Sequence, residues 1–156
     1  MSSFDEIISL SLGDFFCVYY ILDQNLGCKE NGVNAFELDF YNLNQLNKKF
    51  DCVWSMNSLL HVNRSDLPMV LEGIDAALNE NGLFFMGVYG GEDTESNYVH
   101  NMYDSIDIPR YFSYYSIETL VGILQKTFEI LHYDQYDVGR SHDFQSVTMR
   151  KKARKT

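Results

Sequence analysis

The stretch that most constrains this chain runs from Phe50 to Gly91 and reads strand, loop, helix, stop, strand. Lys49-Phe50-Asp51-Cys52-Val53-Trp54-Ser55-Met56 is a short, mostly apolar run that ends at the small polar pair Asn57-Ser58. From Ser65 to Leu78 apolar residues recur at 67, 70, 71, 74, 77 and 78, the spacing of one helical face. Ser65 is the expected N-cap, and Pro68 is tolerable in a first turn. Asn79-Glu80-Asn81-Gly82 is expected to stop the helix, with Gly82 in the left-handed conformation that closes a C-terminus. Leu83 to Tyr89 is then a second apolar run. Two such strands joined by a helix make a right-handed unit with parallel strands. Near-continuous hydrophobicity means that both faces of those strands need cover.

The order of these residues resembles the central half of class I S-adenosylmethionine-dependent methyltransferases. The resemblance rests on Phe50-Asp51-Cys52-Val53-Trp54, on Ser58-Leu59-Leu60-His61-Val62, and on Leu78-Asn79-Glu80-Asn81-Gly82-Leu83-Phe84-Phe85. Glu80-Asn81-Gly82 stands where that family carries Pro-Gly-Gly, and the similarity extends over residues 33–150. It implies an α/β, Rossmann-like methyltransferase sheet, mostly parallel, with an antiparallel C-terminal hairpin. It also implies S-adenosylmethionine as cofactor.

The N-terminal third departs from that pattern. Phe4 to Leu12 has no clear period, and Gly13 or Asp14 breaks it. Phe15 to Leu22 is aromatic and β-branched, the composition of a buried strand closed by Asp23-Gln24-Asn25. Asp23 reads either as a turn residue or as the strand-end acid that holds ribose hydroxyls. The family opens with a strand and a Gly-rich turn that lets the backbone approach the cofactor. None of the ten glycines here forms Gly-x-Gly, and the adjacent pair Gly90-Gly91 follows a late strand. The sheet is therefore expected to be incomplete at its N-terminus, with residues 1–30 an atypical, truncated segment of a single domain spanning 1–150. The missing glycines also argue against a nicotinamide enzyme.

Further site residues follow from the resemblance. Val33 to Asp39 alternates as a strand, and Asp39 falls where the family accepts a hydrogen bond from the adenine amino group. Phe40 beside it is either an adenine contact or core. Asn57, Ser58 and His61 line the wall along the methionine end, His61 being either a structural histidine or a base with an ordinary pKa of about 6.5. Tyr89 faces substrate at the next strand end, and residues 92–109 form an irregular lid or substrate loop. Arg110-Tyr111-Phe112-Ser113-Tyr114-Tyr115 resembles a family segment that places Arg110 and Tyr114 at the acceptor. Arg110 binds an anionic group there or pairs with a neighbouring acid. No catalytic base or triad stands out.

After this segment, Ser116 caps a helix whose apolar face is Ile117, Leu120, Val121, Leu124 and Phe128, with Tyr115 stapled on Leu120. Phe128–Tyr136 and Phe144–Met149 are strands joined through Gly139-Arg140-Ser141-His142.

Composition settles which partners are excluded. The formal charge is −10, and five of the twelve basic residues lie in Arg150-Lys151-Lys152-Ala153-Arg154-Lys155-Thr156. The body so depleted of cations repels phosphate backbones, so nucleic acid is not an expected partner. Residues 151–156 read as a solvated basic tail. Three cysteines without a C-x-x-C pair, no signal peptide and no run of about 18 apolar residues indicate a reduced, cytoplasmic, non-membrane setting. Four scattered histidines show no metal-ligand spacing. The methyl acceptor is not readable. A sheet lacking its N-terminal cover predicts a homodimer, with residues 1–30 exchanged or paired across it. The alternative to an enzyme is a non-catalytic remnant of the fold acting as a scaffold.

Overall fold

The computed structural model describes residues 7–12, 14–19, 34–99 and 110–153, and the side chains of 38–95 and 111–153. Nine strands are present among them: β1 (Ile7–Leu12), β2 (Asp14–Tyr19), β3 (Asn34–Glu37), β4 (Phe50–Met56), β5 (Leu78–Gly90), β6 (Thr94–Val99), β7 (Arg110–Tyr114), β8 (Phe128–Tyr136) and β9 (Asp143–Lys151). Helix α1 covers Leu67–Ala77 and α2 covers Ile117–Thr127. Short 3-10 segments occupy Phe40–Gln45 and Leu59–His61.

Seven strands form one sheet in the order β3-β2-β1-β4-β5-β9-β8, and β6 and β7 form a separate antiparallel pair. β2, β3, β4, β5 and β8 run one way, and β1 and β9 run the other. The mostly parallel sheet with an antiparallel C-terminal hairpin is therefore present, and its N-terminal part is altered. Leu12 pairs with Asp14 across a single intervening residue, so β1 and β2 form a tight hairpin. A crossover helix cannot fit in that space, because parallel neighbours need a connection of about a dozen residues. β1 is the third of the seven strands, between β2 and β4, and runs opposite to both.

In the central unit β4 ends at Met56 as expected and begins one residue after Lys49, and α1 joins it to β5 in parallel register, Trp54 opposite Phe85. Alternate residues explain the packing. Val53, Phe84, Met86, Val88, Val147 and Met149 are buried toward Leu67, Val70, Leu71 and Ile74 of α1 and Leu120 and Leu124 of α2. Burying such a side chain fully contributes about 1.5–3 kcal/mol, which makes this layer the core.

Several boundaries differ from expectation. The N-cap of α1 is Asp66, with no side-chain cap bond, because Ser65 Oγ donates to Asp66 Oδ1 (2.9 Å). The helix ends at Ala77 with Leu78 already extended, and the left-handed residue is Asn81 (φ 62°). Gly82 is needed for a different reason, since a Cβ there would lie 2.9 Å from the Asn79 carbonyl oxygen. Ile7–Leu12 is a strand although its sequence shows no period, β2 is described as far as Tyr19, the rest of the expected run to Leu22 lying outside the described residues, and β3 ends at Glu37. Residues 94–99 are not irregular: Thr94 pairs with Tyr114 and Ser96 with Phe112.

Lys151 belongs to β9 instead of a solvated tail. Its amine is buried and donates to the carbonyls of Asp75 (2.6 Å) and Leu78 (2.9 Å) at the end of α1. Lys152 does the same for Gln125 (2.6 Å) and Lys126 (3.2 Å) in α2. A helix leaves its last carbonyls without intrahelical donors, and a cation there also meets the negative end of the dipole.

Candidate functional site

Open parallel sheets bind ligands beyond the carboxyl ends of their strands. Here that end is assembled from the segments after β3, β4 and β5, from β7, and from the β8–β9 turn.

Behind β4 the chain turns sharply. Asn57 adopts a left-handed conformation (φ 51°), tolerated best by Gly, Asn and Asp, and its N–H donates to the Gly87 carbonyl (2.8 Å). Its Oδ1 is buried and has no partner among the described residues. Ser55 and Ser58, both fully buried, share a hydroxyl–hydroxyl bond of 2.8 Å that locks the turn. The 3-10 turn that follows presents His61, whose Nδ1 lies 2.8 Å from the Tyr111 carbonyl oxygen. A carbonyl only accepts, so Nδ1 carries the proton. The ring also meets Phe112 edge-on at 4.7 Å.

Arg64 completes the clamp on β7. Its Nη2 donates to the Tyr114 carbonyl (2.7 Å), its guanidinium lies 4.7 Å above the Tyr115 ring, and Asp93 is 3.9 Å away. His61 and Arg64 thus hold the backbone of β7 at two points. From the other side, Gly91 N–H donates to the Tyr115 carbonyl (2.8 Å). Asp93 accepts from Ser116 N–H (3.1 Å), Ser116 Oγ (2.9 Å) and Thr119 Oγ1 (2.8 Å). Ser116 in turn accepts from Thr119 N–H, the expected cap of α2. Desolvation pushes the Asp93 carboxyl up, but the Thr119 and Ser116 hydrogen bonds and the Arg64 charge outweigh it and leave its pKa lowered.

Aromatic rings line the mouth. Tyr114 stacks on His142 of the β8–β9 turn (3.9 Å) and lies parallel to Phe112 (5.8 Å). Tyr89 at the end of β5 packs edge-on against Phe144 (5.6 Å), and its hydroxyl accepts from Arg140 (3.3 Å). The Tyr111 hydroxyl donates to Glu95 and accepts from buried Ser113 (3.3 Å). That Tyr111 bond, more than anything else, lowers the Glu95 pKa.

Asp39 stands apart, after β3. Its Oδ1 accepts from Tyr41 N–H (3.0 Å) and so caps the 3-10 segment. Phe40 is packed in the core at 8% exposure, beside Leu43, and so offers no open stacking face. Its neighbour Tyr41 is the exposed ring, and its hydroxyl donates to Asp66 (3.2 Å). Asp23 and the side chain of Arg110 lie outside the described residues.

The structure thus gathers Asn57, Ser58, His61, Tyr89 and Tyr114 around one sheet end and adds Arg64, Asp93, Tyr111 and His142. Asp93 and Tyr111 fall in the expected substrate loop and the aromatic segment 110–115, and His142 in the expected turn, whereas Arg64 carries no sequence signal. Among the described residues, no three His, Cys, Asp or Glu side chains group as metal ligands would, and no helix is long and apolar enough to cross a membrane.

An open sheet with five of its seven strands pointing one way, β9 reversed inside its C-terminal edge and helices in the crossovers defines a Rossmann-like α/β class. No family model and no curated protein sequence matches the chain. Solved structures place it more closely. An S-adenosylmethionine-dependent methyltransferase from Clostridium acetobutylicum is similar over 88% of this chain and 75% of its own, at 15% identity and a TM-score of 0.65. One from Methanosarcina mazei is similar over 86% of this chain and 80% of its own, at 9% identity and a TM-score of 0.70. The 1,6-didemethyltoxoflavin-N1-methyltransferase of Burkholderia thailandensis was solved with 1,6-didemethyltoxoflavin and S-adenosylhomocysteine bound. It is similar over 87% of this chain, at 16% identity and a TM-score of 0.66, and this chain spans 60% of it. The fold is that of the class I S-adenosylmethionine-dependent methyltransferases.

Proposed function

We propose that this protein binds S-adenosylmethionine at the carboxyl ends of β3 and β4 and transfers its methyl group to a small acceptor. When bound, the cofactor supplies a methyl activated on a sulfonium, so the protein's task is position and a dry, polarised pocket. The observation that carries the reading is the Asn57 side chain. A buried acceptor atom without a partner costs about 1–3 kcal/mol, and a ligand donor at the methionine end would relieve that cost. Asp39 keeps an oxygen for an adenine amino group while the other caps the 3-10 segment. Ser58 and His61 act as framing groups, because the hydroxyl of one is bound to Ser55 and the ring of the other to β7. Tyr89, Tyr114 and Arg110 border the acceptor side, and Asp23 is assigned to the ribose. Phe40 serves the core and not the ligand.

A second reading rests on the reversed β1. With Leu12 paired to Asp14, β1 cannot deliver a Gly-rich turn to the ligand end. A non-catalytic remnant serving as a homodimeric scaffold accounts for that feature directly. In both readings we assign the chain to the cytoplasm, where the free thiol of Cys52 stays reduced, and to a homodimer.

Calorimetric titration with S-adenosylhomocysteine separates the two. The enzyme reading expects micromolar binding, weakened at least tenfold in Asp39→Asn with no loss of thermal stability. Asparagine keeps the capping oxygen but not the carboxylate. Absence of binding at millimolar ligand would establish the remnant.

A further inference from the structure

We infer that Arg64 is the positioning residue of the acceptor side: it sets where the Tyr114 ring, with His142 stacked on it, stands relative to the turn that carries Asn57. This rests on the reading above that Tyr114 borders the acceptor, and adds the residue that puts it there.

Side chains leave a strand alternately to its two faces, so Phe112 and Tyr114 share one face of β7, and Ser113 and Tyr115 share the other. Ser113 and Tyr115 are buried, whereas Tyr114 is only partly covered and meets His142 at 3.9 Å with the rings 14° apart. The direction of the Tyr114 ring therefore depends on how the strand is rotated at residues 114 and 115. Arg64 fixes that rotation from outside the strand. Its Nη2 donates to the Tyr114 carbonyl (2.7 Å), and its guanidinium lies 4.7 Å above the Tyr115 ring. A carbonyl and the next side chain, both held by one rigid plane, leave β7 no freedom to turn there. A guanidinium can donate in its own plane while its face covers a ring; an ammonium serves one of these contacts but not both.

Charge is the lesser part of this contact. Nη2 is 3.9 Å from Asp93 and the two side chains are 31% and 39% exposed, so the ion pair contributes little. Arg64 Nε is buried and has no partner among the described residues. A buried donor left unpaired is a cost, and such costs persist where geometry serves a site. The root of the side chain is fixed as well. Arg64 follows the 3-10 turn Leu59–His61, and the Asn63 carbonyl beside it accepts from the N–H groups of Asp66 (2.9 Å) and Leu67 (3.0 Å) at the start of α1. Arg64 is thus anchored at one end in the segment that follows Asn57 and at the other on β7. A competing hold exists, because the Tyr115 carbonyl accepts from Gly91 N–H (2.8 Å) and Gln145 Nε2 (3.1 Å). Those bonds tie the strand to β5 and β9, not to the Asn57 turn.

His142 reports the outcome, since ring protons held over an aromatic face resonate upfield. Histidine-labelled full chain gives four ring systems to follow by nuclear magnetic resonance, and His142→Gln identifies the relevant one. Spectra are taken at about pH 8 and well below the unfolding transition of each variant. The expected result is an upfield His142 signal in wild type that is lost in both Arg64→Lys and Arg64→Met. Calorimetry on the same samples should give S-adenosylhomocysteine affinities within about threefold of wild type. If either variant does not fold, Arg64→Gln takes its place. A His142 signal unchanged in both variants, with only the unfolding temperature lowered, would overturn the assignment, because the Gly91 and Gln145 bonds would then suffice. Full retention in Arg64→Lys would overturn it too, since charge and not the plane would be the cause. A wild type that binds no S-adenosylhomocysteine, with the His142 displacement still lost in both variants, would remove the acceptor role and leave Arg64 as the residue that places Tyr114.

Discussion

Replacing Lys151 with methionine is a direct test of how the two layers are held together. The amine is 4% exposed, 2.6 Å from the Asp75 carbonyl, 2.9 Å from the Leu78 carbonyl and 3.8 Å from the Asp75 carboxylate. Methionine has a similar length and no charge, so packing is nearly kept. Two charge-assisted hydrogen bonds are lost, each about 1.5–3 kcal/mol, and the carbonyls stay where water does not reach. Against this, the variant no longer desolvates an ammonium, a relief of several kcal/mol. The balance is a destabilisation of about 3 kcal/mol, or roughly 6–12 °C in Tm at the ~2–4 °C per kcal/mol of a domain this size. Lys152→Met is the internal control. It removes the same charge and a pair of carbonyl contacts at an exposed position, where about 1 kcal/mol or less is expected. Urea unfolding followed by circular dichroism measures both. If Lys151→Met unfolds within about 0.5 kcal/mol of Lys152→Met, the burial of that amine contributes nothing, and the capping argument is wrong.

Two further perturbations address the ligand end. Asp93→Asn removes the charge and one of the two acceptor oxygens that hold Ser116 and Thr119 and should cost about 1 kcal/mol. Because the folded pKa of Asp93 is lowered, its contribution is complete above the ordinary carboxylate pKa of about 3.9 and disappears as pH falls through the folded value. The urea midpoints of wild type and variant should therefore differ at about pH 7 and converge by about pH 2; an unchanged gap would contradict the assignment. Gly90→Ala places a Cβ 2.6 Å from both the Gln145 Oε1 and the Tyr115 carbonyl oxygen. A cost of about 1–3 kcal/mol is expected, together with weaker S-adenosylhomocysteine binding, and a variant as stable as wild type would show that this strand end yields easily.

Much of this fold was legible because its central unit is local. The apolar run from Phe50 to Met56, the stripe from Leu67 to Ala77, and Ser116 ahead of Thr119 each carry their signal within a few residues. The misses have a common physical cause. Gly82 looked like a helix stop, yet what demands glycine there is a carbonyl three residues back. Lys151 looked solvated until β9 laid it against a helix end 76 residues earlier in sequence. Arg64 and His61 find their partners 50 residues downstream, on a strand whose pairing no periodicity announces. Phe40 followed an acidic strand end as a ligand contact would, and packing claimed it instead. Local pattern specifies elements; contacts across dozens of residues decide which polar side chains meet at the sheet end.

The reversed first strand also sets where the polypeptide enters the molecule. Ile7 pairs with Met56, beside the turn that carries Asn57, whereas Arg150 and Lys151 leave the sheet at the far end, near Leu83 and Phe128. The described sheet thus opens at the doorway of the ligand end and closes at the opposite pole.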